Sequence, residues 1–108
     1  MTDLEISKAL ALAIGWPADV IFYNATGNYI EIVTDSPDFS AEDRVFDYRD
    51  WAVIGPIAER YNFFPYALKD NGKRTGKWNV ITHQDNIADT PQKAIALAVI
   101  SAGGNHAR

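Results

Sequence analysis

No cysteine occurs among the 108 residues, which excludes disulfides, thiolate metal sites and cysteine nucleophiles. No apolar run approaches the roughly 18 residues that a membrane-spanning helix requires. Histidine is scarce as well, only His83 and His106. A metal centre needs three or four converging ligands, and a general base needs a partner and a substrate. His83, next to Gln84 and Asp85 at an expected strand end, therefore reads as a surface residue, and His106 belongs to a tail (104–108) expected to fray. The sequence lacks G-x-S-x-G, G-x-x-x-x-G-K-[ST], G-x-G-x-x-G and H-E-x-x-H. The acidic stretch TDSPDFSAEDR has neither the alternating oxygen ligands nor the central glycine of a calcium loop. Glu42-Asp43 and Asp47-Asp50 could hold a cation loosely, but a solvated loop is the simpler account. No catalytic residue, metal or cofactor is thus expected.

What is present is the composition of one folded domain spanning 1–108: 47% of residues are hydrophobic and 22% charged, far from a disordered chain. The N-terminal MTDLEISKALALAIGW is acidic and helix-like, not a basic signal peptide, so cytoplasm is the expected compartment. The sequon Asn24-Ala25-Thr26 carries no meaning without export. A net charge of −4 argues against a general nucleic-acid binder. Its distribution says more. Seven of the fourteen acids fall between Glu31 and Asp50, and four of the ten basic residues fall between Lys69 and Lys77. The plainest account is two solvated segments of opposite sign.

The elements are legible in outline. Thr2 with Glu5 forms a capping-box pattern, and the apolar spacing that follows predicts a helix over 3–14, stopped by Gly15 and Pro17. VIFYN (20–24) and NYIEIVT (28–34) read as a hairpin whose Gly27 supplies positive φ. The segment 34–43 reads as loop. Asp50 is the expected N-cap of a second helix, with Trp51, Ile54, Ile57, Ala58 and Tyr61 on one face. Pro56 either kinks that helix or delays its start to Gly55. NFFPYALKD (62–70) and KWNVITH (77–83) predict a second hairpin. Its turn is either a type I′ turn at Asn71-Gly72 with long strands, or the whole intervening segment with short ones. Asp89 or Thr90 caps a last helix, with Pro91 at its first position, and its AIALAVI run implies deep burial. The order α-ββ-α-ββ-α predicts an α+β fold with one antiparallel sheet of about four strands, packed by helices and plausibly sandwiched between them.

Three segments and this layout resemble a known group. FDYRDWAVIGPIAERY places an aromatic-acidic stretch ahead of a helix, ADTPQKAIALAVISA closes the chain with an alanine-rich helix, and DLEISKALALAIGW opens it. In these respects the chain resembles small phage proteins of the NinX-like kind and the related phage α-β-α sandwich domains. The resemblance implies a phage or prophage origin and an α/β sandwich. It implies no established biochemical activity and transfers no catalytic residue.

Two surfaces remain as candidates. In FDYRDW, Asp50 is accounted for as a cap, Arg49 by pairing with Asp47 or nearby acids, and Phe46, Tyr48 and Trp51 as aromatics covering the end of the sheet. The competing reading leaves Tyr48 and Trp51 exposed beside Arg49 as an interface anchor, since aromatics and arginine dominate such anchors. In KDNGKRTGKWN, Lys69, Lys73, Arg74 and Lys77 with Trp78 suggest contact with phosphate or an acidic partner. The plainer account is a solubilising tip with Trp78 as a cross-strand core residue. The function expected is binding of a host or phage protein, with a nucleotide or nucleic-acid phosphate binder as the alternative. A homodimer through an exposed sheet edge is a further possibility.

Overall fold

The computed structural model describes residues 1–34, 44–80 and 83–103, and for 83–86 the backbone alone. The first helix, α1 (Asp3–Ala13), begins with the reciprocal Thr2–Glu5 capping box. It ends in a Schellman motif: Trp16 N–H donates to the Ala11 carbonyl and Gly15 N–H to that of Leu12, with Gly15 at φ 109°. The hairpin follows as β1 (Ile21–Tyr23) and β2 (Ile30–Ile32), with Gly27 at φ 72°. Helix α2 (Trp51–Tyr61) is capped by Asp50, whose Oδ1 accepts from Ala52 N–H at 2.9 Å. Pro56 lies inside it without ending it. The carbonyl that Pro56 leaves unbonded is that of Ala52, and both residues are exposed, so water can take its place. Asn62, at φ 58°, closes α2 with a second Schellman motif: Phe63 N–H reaches Ala58 O and Asn62 N–H reaches Glu59 O. The last helix, α3 (Pro91–Ser101), is capped by Thr90, whose hydroxyl accepts from Lys93 N–H.

The fold is α+β, but the strands do not form one sheet of about four. Among the described residues they form two antiparallel sheets of three. The two strands not anticipated are β3 (Val45–Phe46), which pairs with β2, and β6 (His83–Ala88), which pairs with β5 (Lys73–Val80). With β4 (Pro65–Asp70) the sheets run β1-β2-β3 and β4-β5-β6. Each central strand has both edges occupied by its sequence neighbours, so β2 and β5 cannot pair with each other. The segment expected as one strand over 77–83 divides: β5 ends at Val80, and His83 already belongs to β6. Asn71 (φ 51°) and Gly72 (φ 79°) form the type I′ turn, and the strands are the long ones. The acidic segment 35–43 and the tail 104–108, expected as loop and frayed end, lie outside the described residues.

One apolar cluster unites these parts. Ala94, Ile95, Ala96, Ala98 and Val99 of α3 are fully buried, as its composition implied. Helix α3 packs on α1, on α2 and on all three strands of the second sheet, while α1 reaches β2 of the first. The contacts therefore run from one sheet through helices to the other, rather than from helix through a single sheet to helix. No helix among the described residues is long and apolar enough to cross a membrane.

Candidate protein-binding surface

The stretch between β3 and α2 is held by side chains of α1 and α3 and by its own. Asp47 O accepts from Asp50 N–H at 3.0 Å, closing the turn. Tyr48 N–H donates to the buried Ser7 Oγ of α1 at 3.2 Å. The Tyr48 hydroxyl donates to Asp3 Oδ1. Arg49 forms a bidentate pair with Asp47 (Nε–Oδ1 2.9 Å, Nη2–Oδ2 2.8 Å) and reaches Asp3 Oδ2 at 3.4 Å. Gln92 of α3 donates to the Arg49 carbonyl at 3.2 Å. The arginine's hydrogen bonds hold the Asp47 carboxyl below the usual carboxylate range, and the same bonds push the guanidinium up. Burial, helped by the neighbouring Asp3, raises the Tyr48 phenol above its ordinary value.

This geometry separates residues that the sequence grouped together. Tyr48 is only 2% exposed and is no surface anchor, because its ring joins the core and its hydroxyl is spent on Asp3. Arg49 is half exposed but already paired. Trp51, at 51% exposure, is the aromatic of the stretch that faces solvent, standing on a corner fixed by the bonds above.

A cleft of about 490 Å³ opens on the other flank of α2. Its walls are Ile14 and Trp16 after α1, Ile32, Val45 and Phe46 of the first sheet, and Ala52, Val53, Pro56 and Ile57 of α2. Asp50 is the one charged residue in that lining. Residues on an α-helix advance by about 100° each, so Ala52, Val53, Pro56 and Ile57 gather on one side and Trp51 on another. The buried Ile54, Ala58 and Tyr61 lie between. The cleft was not legible beforehand, because its walls come from three parts of the chain far apart in sequence. The only signal was a surplus of apolar residues near 45–57 beyond what one helix face can bury.

The basic residues are collected at the far end of the β4–β5 hairpin. Lys69, Lys73, Arg74 and Lys77 are all exposed, and among the described residues none is in an ion pair. Lys69 stands directly opposite Arg74 in the ladder, a like-charge pair that opposes strand pairing. From Ala67↔Trp78 to Lys69↔Arg74, β4 advances two residues and β5 four. The surplus is a bulge with Gly76 at φ 81°, braced by the Thr75 hydroxyl, which donates to Leu68 O and accepts from Lys77 N–H. Trp78 is half-buried against the core and flanked by Ala67 and Ala88. It is a cross-strand packing residue.

Among the described residues no three His, Cys, Asp or Glu side chains converge as metal ligands. The side chain of His83, and His106 altogether, lie outside the described residues. No protein-family model, no curated protein and no solved structure matches the chain.

Proposed function

We propose that this chain acts by binding another protein and not by catalysis, as a small accessory protein of phage or prophage origin working on a host or phage protein in the bacterial cytoplasm. The origin rests on the resemblance of its three segments to NinX-like proteins. The mode of action rests on one observation, the half-exposed Trp51 on a corner held by Asp3, Ser7, Asp47 and Gln92. A large side chain presented on a rigid support loses little freedom on binding, which is what interface anchors require. The test is affinity purification of the tagged protein from bacterial lysate, read by mass spectrometry. A stoichiometric partner that is lost with Trp51→Ala, while the variant melts like the parent, is the expected result. A partner indifferent to Trp51→Ala, or no partner, would sink this site.

The basic hairpin favours a second reading, a binder of nucleotide or nucleic-acid phosphate. Its support is the Lys69–Arg74 pair, since two like charges set opposite each other weaken the ladder unless a shared anion relieves them. Stabilisation by a ligand grows as RT ln(1 + [L]/Kd), so a thermal-shift screen with nucleotides decides it. No shift at saturating nucleotide would remove this alternative.

A further inference from the structure

We propose that the β4–β5 hairpin is a ribbon that enters the major groove of double-stranded DNA and meets the two phosphate walls with the cations of its two faces. The inference rests on the second reading above, the phosphate binder, and names the class of polymer the hairpin takes. Nine consecutive residues, 69–77, are exposed, so the end of the hairpin stands clear of the body. It is stiffened from within by the type I′ turn and by the Thr75 bonds that brace the bulge. A rigid element gives up little freedom on binding.

The ladder fixes which way the cations point. Side chains directly opposite each other share a face, and successive ones alternate. Lys69 and Arg74 are opposite each other and lie on the face of Ala67 and Trp78. Asp70 is opposite Lys73 on the other face, which Lys77, next to Trp78, shares. Each face thus carries two cations, and among the described residues none of the four is in an ion pair. A ribbon lying flat on a charged surface would use one face. A groove presents phosphates on both sides, and this distribution matches it.

Dimensions and composition choose the polymer. Paired strands lie about 4.8 Å apart, and from Leu68 to Asn71 the ribbon reaches about 10 Å. The major groove of B-form DNA is about 12 Å wide and about 8.5 Å deep, and it admits a two-stranded ribbon. The major groove of A-form RNA is too narrow and deep for side chains to read. Single strands are held by stacking on aromatics, and 69–77 contains none, Trp78 being packed against the core. A protein interface would bury an apolar or aromatic anchor, which 69–77 lacks as well. Four cations against Asp70 give 69–77 a net charge of +3 in a chain of −4, so the other 99 residues carry −7. DNA therefore attracts the hairpin and repels the rest of the chain, and the approach is tip first.

The test is fluorescence anisotropy of a labelled mixed-sequence DNA duplex at low salt, beside the same sequence as an RNA duplex and as a single DNA strand. The DNA duplex is expected to bind, and the other two about tenfold more weakly or worse. Three net charges on phosphates predict a log–log salt slope of about −2.7, or about a forty-fold loss from about 50 to about 200 mM salt. Lys69→Gln/Arg74→Gln and Lys73→Gln/Lys77→Gln, one pair from each face, should each weaken binding and flatten the slope by about 1.8. Both should melt no lower than the parent, and Trp51→Ala should leave binding intact. No binding at about 1 mM protein would overturn the proposal, since even non-specific affinities reach about 10⁻⁴ M. So would equal binding of the RNA duplex or the single strand, or dependence on the pair of one face alone. A lysate protein lost with both double variants, with no DNA bound, would give the hairpin to an acidic protein instead. A thermal shift with nucleotides but no duplex binding would refute the groove alone and leave the phosphate reading standing. Absence of both would remove the two together.

Discussion

Tyr48→Phe removes one oxygen from a side chain that is otherwise buried, so the ring keeps its packing and the change isolates the bond to Asp3. A hydrogen bond to a charged group contributes about 1.5–3 kcal/mol. The Asp3 side chain is 50% exposed, so water recovers part of the loss, and the expected destabilisation is nearer 1 kcal/mol. For a domain of this size that is a fall in Tm of about 4 °C. Denaturant unfolding of the parent, Tyr48→Phe, Asp3→Asn and the double variant closes a thermodynamic cycle. The coupling should be about 1 kcal/mol, with Asp3→Asn alone losing somewhat more because Asp3 also sits in the acidic first turn of α1. The same bond has a signature in alkali. The folded phenol binds its proton more tightly than the unfolded one, so stability is whole below about pH 10 and declines as the pH rises further. Tyr48→Phe should flatten that decline. A variant within about 0.3 kcal/mol of the parent, or single effects that simply add, would refute the idea that this bond ties the stretch to α1.

Two further perturbations test the same framework. Gly72→Ala places a side chain at φ 79° in the type I′ turn and should destabilise by about 1–2 kcal/mol in denaturant, while lysate binding through Trp51 is unchanged. Acid titration of stability should show the Arg49–Asp47 pair: with its carboxyl held low, Asp47 contributes above about pH 4 and loses that contribution as the pH falls further, by up to about 1 kcal/mol, and Asp47→Asn should remove this component.

Most helix starts and stops were readable in the sequence because they are local chemistry; the stop of α2 at Asn62 was not, and 62–70 read as a strand that begins only at Pro65. Thr2, Asp50, Thr90 and Pro91, Gly15, and the Asn71-Gly72 turn each act on amides or carbonyls a few residues away. The strands that escaped notice lacked such a signature. Val45–Phe46 is too short to show a period, and His83–Ala88 is polar over most of its length. Missing both turned two sheets of three into one of about four. The candidate site failed for a related reason. Phe46, Tyr48 and Trp51 look alike as aromatics, and only the position of Ser7 and Asp3 on α1 decides that Tyr48 turns inward while Trp51 turns out. The cleft depends on Ile14, Ile32 and Val53 meeting in space, which no local pattern encodes.

Helix α3 gathers its neighbours from α1, α2 and the second sheet, and this has a consequence for synthesis. The two meanders are made of contacts between adjacent segments and can form as each emerges from the ribosome. The apolar faces that the second sheet, α1 and α2 turn toward α3 stay uncovered until the residues up to Ser101 are free of the exit tunnel. The nascent chain therefore spends its growth as two small sheets and two helices without a centre, and closes in a single late step. A chain truncated just before Ala94, and so released without the body of α3, should be a protease-sensitive species with its remaining secondary structure largely in place.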